Sequence, residues 1–415
     1  MLRKLPKIEN MRSFIATGIG VAMAQAISLL SIPLIAKMSG PQTFGDFSYL
    51  YSWLIVALVF STLKLEFAVY VLSRDNIARL RNIFKLILPV MAFFISIALT
   101  LLALQYVPAM VANAILLFSS FFIFLFFAGY FEFVIQDNVK QGKFKLNAEL
   151  RIIRAFSVPS VFYLISCFFD LSAESIIITF SISNAIPVLY DKKENGSSLF
   201  YNSSVTDGFS VFKKCKDTVN YLVPAHFIAR YSSTSLILLT GTLGVSSEQI
   251  AKYVLVEKLL IAPVSIVTAA VSDVVKREIS KDPLSGLKNY YRLCFYTAIV
   301  SAVAVVVILT VFDEVVLFAM GDGWGGINDY AIYLLPYMIS LLVLSPITHV
   351  YTVLRRQKYD LAWQVFHAVI TTAAIYIGLQ SGFSTAVLYF SLSASVSLLI
   401  SALICRHFVL THKPE

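Results

Sequence analysis

The sequence predicts an all-α integral membrane protein: twelve transmembrane helices in two six-helix bundles around a central cavity, both termini cytoplasmic. Three observations predict it. The 415 residues are 58% hydrophobic and only 14% charged, against roughly 45–50% and about 25% in soluble domains. Twelve apolar runs, most of them near the ~20 residues that a bilayer-crossing helix needs, are separated by polar connections. Lys and Arg, which give a net charge of +9, alternate by connection, as the bias toward basic cytoplasmic loops requires.

The runs fall near residues 14 to 37, 48 to 72, 83 to 105, 109 to 135, 152 to 169, 173 to 190, 218 to 241, 251 to 275, 290 to 312, 329 to 353, 361 to 380 and 383 to 405. The first follows the basic stretch MLRKLPKIENMRSF. It is longer than a signal h-region of about 7–15 residues and has no small-residue cleavage site, so it reads as a helix. The fifth and sixth are the shortest and hold Pro159 and Pro187; Pro33, Pro89, Pro224, Pro263, Pro336 and Pro346 lie in others. Membrane helices tolerate proline where neighbours satisfy the freed carbonyl.

Of the 33 basic residues, 28 fall in the N-terminus, the even-numbered connections and the tail, while the odd connections carry acids such as Asp46, Asp170, Glu248 and Asp322. That assigns both termini to the cytoplasm. The longest polar stretch, 191–217, reads as a cytoplasmic linker loop between an N-terminal bundle, 1–190, and a C-terminal bundle, 218–415. IPLIAKMSGPQTFGDFSYL, between the first two runs, echoes LILLTGTLGVSSEQIAKYVL, between the seventh and eighth. Two pseudo-symmetric halves are a common transporter plan.

Five cations remain inside or at the ends of the runs: Lys37, Lys64, Arg230, Lys252 and Lys258. Lys37 and Lys252 stand at run ends, where a lysine snorkels. A charge at membrane depth costs about 2.5–3.5 kcal/mol or more unless it meets water or a partner. Arg230 lies closest to a midplane and shares a helical face with His226, Ser233 and Thr234; it either lines a wet cavity or pairs with an acid from another helix. Glu257 shares a face with Ser265 and Thr268, with Lys258 beside it. Lys64 and Glu66, two apart on a helix, are expected to point to different sides and not to pair, with Glu66 in line with Tyr70 and Arg74. Tyr106, Trp324, Tyr330 and Tyr337 are expected in an outer aromatic belt.

No catalytic motif is present. The four cysteines, Cys167, Cys215, Cys294 and Cys405, show no ligand spacing, so no metal or cofactor is expected. Gly321, Gly323, Gly325 and Gly326 in MGDGWGGIND read as a turn rather than a phosphate loop.

Several segments together resemble the O-antigen (Wzx-type) flippases of polysaccharide biosynthesis, within the multidrug/oligosaccharidyl-lipid/polysaccharide exporter superfamily. They are QAISLLSIPLIAKMSGPQTFG from Gln25, LKLEFAVYVL from Leu63, QDNVKQGKFKLNAELRIIRA in the fourth connection, MGDGWGGINDYAIYLLP from Met320 and SPITHVYTVLRRQKYDLAWQVF from Ser345. The chain departs from the family pattern at Gln42-Thr43 and at Ala251-Lys252-Tyr253. The resemblance implies a non-enzymatic flippase in the bacterial cytoplasmic (inner) membrane. Its cargo would be an undecaprenyl-pyrophosphate-linked oligosaccharide, moved to the outer leaflet by alternating access, with membrane lipids, a polysaccharide polymerase and a chain-length regulator as partners. No nucleic acid is implied.

Cations replace part of the solvation that a diphosphate loses on leaving water. Arg230, Lys64 and Lys258 are therefore the candidate substrate contacts, Glu66, Glu257 and His226 the candidates for charge balance or coupling, and Arg74 and Lys140 the cytoplasmic rim. A drug or metabolite exporter of the same superfamily is the alternative. A membrane polymerase or ligase fits less well, because the longest outer loop, from about Asp313 to Asn328, carries no basic residue.

Overall fold

A computed structural model describes residues 8–70, 72–195, 205–354 and 356–411, and these are helical apart from turns. The first element, α1 (Ile8–Thr62), consists of two apolar arms joined at Gly40, whose backbone leaves the helix at φ 76°, ψ 164°. A glycine reaches that region without a Cβ penalty. The chain continues through α2 (Arg74–Tyr106), α3 (Ala114–Lys140), α4 (Phe144–Phe168), α5 (Ala173–Asn195), α6 (Val205–Lys214) and α7 (Lys216–Thr242). It ends with α8 (Ser247–Lys281), α9 (Pro283–Met320), α10 (Asn328–Leu344), the single turn α11 (Val350–Val353), α12 (Gln357–Leu379) and α13 (Phe383–Leu410).

Ten helices are long and apolar enough to cross a membrane. The first holds two crossings either side of Gly40, and α7, with 27 residues, is about 40 Å long at 1.5 Å per residue. Among the described residues these helices make the chain a multi-pass membrane protein. The second crossing stops at Thr62 rather than running on to residue 72.

Helix ends are satisfied locally. Asn113 accepts from the N–H groups of Ile115 and Leu116 at 2.9 and 3.0 Å. The buried Glu174 of α5 accepts from the N–H groups of Ala112 and Asn113 at 2.7 and 3.2 Å, which closes the turn between α2 and α3. Asp282 caps α9 through the N–H groups of Leu284 and Ser285, and Pro283 occupies the first helical position, where a missing N–H costs nothing. With 35 and 38 residues, α8 and α9 are each longer than roughly 30 Å of hydrocarbon requires. Lys276, Arg277, Lys281, Lys288 and Arg292 thus stand on helical extensions rather than in a loop. The stretch 191–217 is likewise helical at both ends, with α6 packed on α2; residues 196–204 lie outside the described residues.

The chain gathers into two compact units. One contains α1 except its bend, α2 to α6, and α7 as far as Phe227. Here α3 packs on α2 and α5, and α5 on α4, with Phe84 stacked on Phe133 at 4.3 Å. The other contains Gly40–Gly45 and everything from Ile228; α10 packs on α8, α9 and α13, and α13 on α12.

In the second unit, two of the segments that carry the family resemblance meet. Phe44 lies edge-on to Trp324, centroids 6.0 Å apart, and Pro41 sits beside Gly323. Trp324 and Tyr330 are therefore buried, at 2% and 5% exposure, and not belt residues. The short 3-10 turn Asp322–Trp324 folds the indole inward. Tyr106, by contrast, is exposed. The repeat echo has a physical counterpart as well: Gly40 and Gly244, at the two corresponding connections, both take positive φ, 76° and 79°.

Gly45 lies so close to the Ser247 carbonyl that an added Cβ would overlap it, whereas one on Gly323 would meet only Pro41 at 3.7 Å. Gly45→Ala is expected to destabilise the protein by about 1–3 kcal/mol, as overpacking does, and Gly323→Ala to leave it near wild type. Thermal unfolding of both purified variants checks the contrast.

Candidate functional site

After Thr62 the chain does not continue as helix. Leu63 and Lys64 take left-handed conformations, φ 48° and 53°, and Leu65–Tyr70 form a 3-10 turn. Each such non-glycine residue costs on the order of 1–3 kcal/mol and persists only where its surroundings hold it. One consequence overturns the expectation from helical spacing: the Lys64 Nζ donates to Glu66 Oε1 at 2.9 Å. The pair is buried, with side chains 5% and 0% exposed. Helical geometry would have separated the two groups; the left-handed step turns them toward each other.

Nor does Glu66 reach Tyr70, whose hydroxyl donates to Gln136 Oε1 at 2.7 Å. The side chain of Arg74 lies outside the described residues. Lys140, the other rim candidate, is exposed and donates to the Tyr70 carbonyl at 3.3 Å.

The ion pair extends through an aromatic ring. Lys64 Nζ stands 5.7 Å from the Phe67 centroid, and the imidazole of His226 stacks on the same ring, centroids 5.2 Å apart and 18° from parallel. Next to it on α7, Phe227 packs against Phe60 at 5.3 Å. Three of the candidate residues, Lys64, Glu66 and His226, thus form one cluster in the first unit although about 160 positions separate them in sequence. Phe67 bridges them, and nothing in the sequence distinguishes it from the other 32 phenylalanines.

One turn along α7 from His226 stands Arg230. It is exposed, and among the described residues it has no carboxylate partner. Ser233 and Thr234 both donate their hydroxyls to the Arg230 carbonyl, at 2.8 and 2.9 Å. Their protons are spent on the backbone, so the guanidinium supplies the free donors of this face, five N–H groups in a planar fork.

In the second unit, Lys258 Nζ lies 3.2 Å from Glu257 Oε2, the lysine half exposed and the glutamate nearly buried. Tyr253 and Tyr337 stand within electrostatic reach of that carboxylate. Lys252, expected to snorkel, pairs with Glu248 at 2.8 Å. Among the described residues no group of three His, Cys, Asp or Glu side chains could hold a metal.

No family model and no curated protein matches the sequence. Solved structures do. A multidrug resistance MATE family transporter of the MOP superfamily aligns at a TM-score of 0.67 with 12% identity, covering 95% of this chain and 98% of that one. The lipid II flippase MurJ aligns at 0.68 with 14% identity, covering 97% and 94%. The Vibrio cholerae MATE transporter VcmN aligns at 0.56 with 10% identity and 97% coverage of both. The chain has the fold of these structures.

Removing one partner of a buried pair strands the other charge, at a cost of about 3–5 kcal/mol, whereas replacing both with apolar groups is near neutral. Lys64→Met should therefore lower stability by that order, and Lys64→Met with Glu66→Leu should recover most of it. Denaturation of the single and double variants reads the difference.

Proposed function

We propose that this protein is a flippase for an anionic lipid-linked oligosaccharide, an undecaprenyl-pyrophosphate carrier bearing a polysaccharide repeat unit such as O-antigen. It would move this cargo from the cytoplasmic to the outer leaflet of the bacterial cytoplasmic membrane by alternating access. The observation that carries the reading is Arg230: exposed, well inside a membrane-length helix, and with no carboxylate partner among the described residues. In hydrocarbon it would cost about 2.5–3.5 kcal/mol or more; water and an anionic ligand on that face remove the cost. A bidentate guanidinium–phosphate contact is among the strongest hydrogen-bonded pairs available to a protein.

The other candidates divide by role. Lys64 is neutralised by Glu66 and covered, so its part is to hold the turn after the second crossing and the docking of His226. Lys258 is half exposed and can reach a ligand while Glu257 compensates it in the empty state. The fold is shared about equally with a multidrug resistance transporter and a lipid II flippase, so fold alone does not choose between them. The uncompensated cation favours an anionic cargo over a cationic drug.

In cells that depend on this protein for surface polysaccharide, Arg230→Ala should abolish or strongly reduce the polysaccharide at unchanged protein level. Arg230→Lys should retain part of it, because lysine keeps the charge and loses the fork. Normal polysaccharide with both variants would overturn the assignment.

A further inference from the structure

At the end of the first unit that the basic bias assigns to the cytoplasm, α2, α3 and α5 line an open cleft of about 130 Å³. Its charged lining is Arg81, Lys85, Lys143, Asp137 and Asp191, with Asn138 between them. Both acids are already engaged. Asp137 is gripped by Arg81 through two bonds, Nε to Oδ2 at 2.7 Å and Nη2 to Oδ1 at 2.9 Å. The buried Asp191 accepts from Asn138 Nδ2 at 2.9 Å.

Lys85 is different. It is half-buried, stands one helical turn from Arg81 on the same face, and has no carboxylate partner among the described residues. Two cations at i and i+4 repel, and a partly desolvated ammonium without a counter-ion is costly. The aromatic floor, Phe84 on Phe133, adds no charge. The cleft therefore lacks one anion, and its volume accommodates a phosphate group.

We propose that this cleft binds a phosphate group, held by Lys85 and Lys143 and oriented by the Arg81–Asp137 pair, at a site separate from the transport cargo. A phosphodiester headgroup from the adjoining leaflet and free phosphate share this chemistry; basic pockets between membrane helices on the cytoplasmic side take anionic headgroups.

The test uses the full chain purified in neutral detergent, with melting temperature read against added phosphatidylglycerol, phosphatidylcholine or inorganic phosphate. Phosphatidylglycerol should stabilise the protein and phosphatidylcholine should not. Lys85→Gln should weaken that effect about tenfold in apparent affinity, the loss of one charge-assisted contact. Lys85→Arg should restore it, and Lys145→Gln, an exposed lysine outside the cleft, should leave it unchanged. Stabilisation by inorganic phosphate alone, lost in Lys85→Gln, would keep the phosphate site and assign it to a free anion. No stabilisation by either ligand, or equal stabilisation of wild type and Lys85→Gln, would overturn the proposal.

Discussion

Hydrocarbon supplies neither hydrogen bonds nor ion solvation, and the rest of this structure follows from that one constraint. It makes every crossing a helix. It also requires that each break in a helix be closed by something specific: glycine at Gly40 and the Glu174 carboxylate at the turn after α2. Charges obey the same rule. Lys64 is paired with Glu66, Lys258 with Glu257 and Lys252 with Glu248. Among the described residues Arg230, deep in α7, is the candidate cation with no carboxylate partner.

The pair at Lys64 and Glu66 shows how the constraint shapes the backbone. Two consecutive left-handed residues are costly, yet they let a buried ammonium meet a buried carboxylate two positions away. The same turn presents Phe67 to His226, so the start of α7 is docked through the residue neighbouring the pair. A structural ion pair thereby holds the part of α7 that belongs to the first unit.

Much of the fold was legible in the sequence because its signals are long and redundant. A run of 20 or more apolar residues tolerates errors of several positions, and each of the ten helices long and apolar enough to cross a membrane stands on an expected run. The failures were local or depended on distant contacts. No proline or glycine marks the end of the helix at Thr62, so helical spacing separates Lys64 from Glu66 and only the left-handed step brings them together. Trp324 and Tyr330 read as belt residues because burial against Phe44 and Phe383 depends on segments far away in the chain. The Arg81–Asp137 bridge joins residues 56 apart, with nothing in the spacing to announce it. Gly45 was visible as a motif residue, but its reason, the Ser247 carbonyl beside it, required coordinates.

Whether the face of α7 that carries Arg230 meets water within the membrane is the central claim, and cysteine accessibility measures it most directly. In a background with Cys167, Cys215, Cys294 and Cys405 replaced, Arg230→Cys is treated in intact membranes with a water-soluble, membrane-impermeant thiol reagent. A thiol reacts as the thiolate, which forms in water and not in hydrocarbon. Labelling is expected at Arg230→Cys and little at the control Val303→Cys, an exposed apolar position in the middle of the α9 crossing. Labelling of Arg230→Cys only after the membrane is dissolved would contradict the claim.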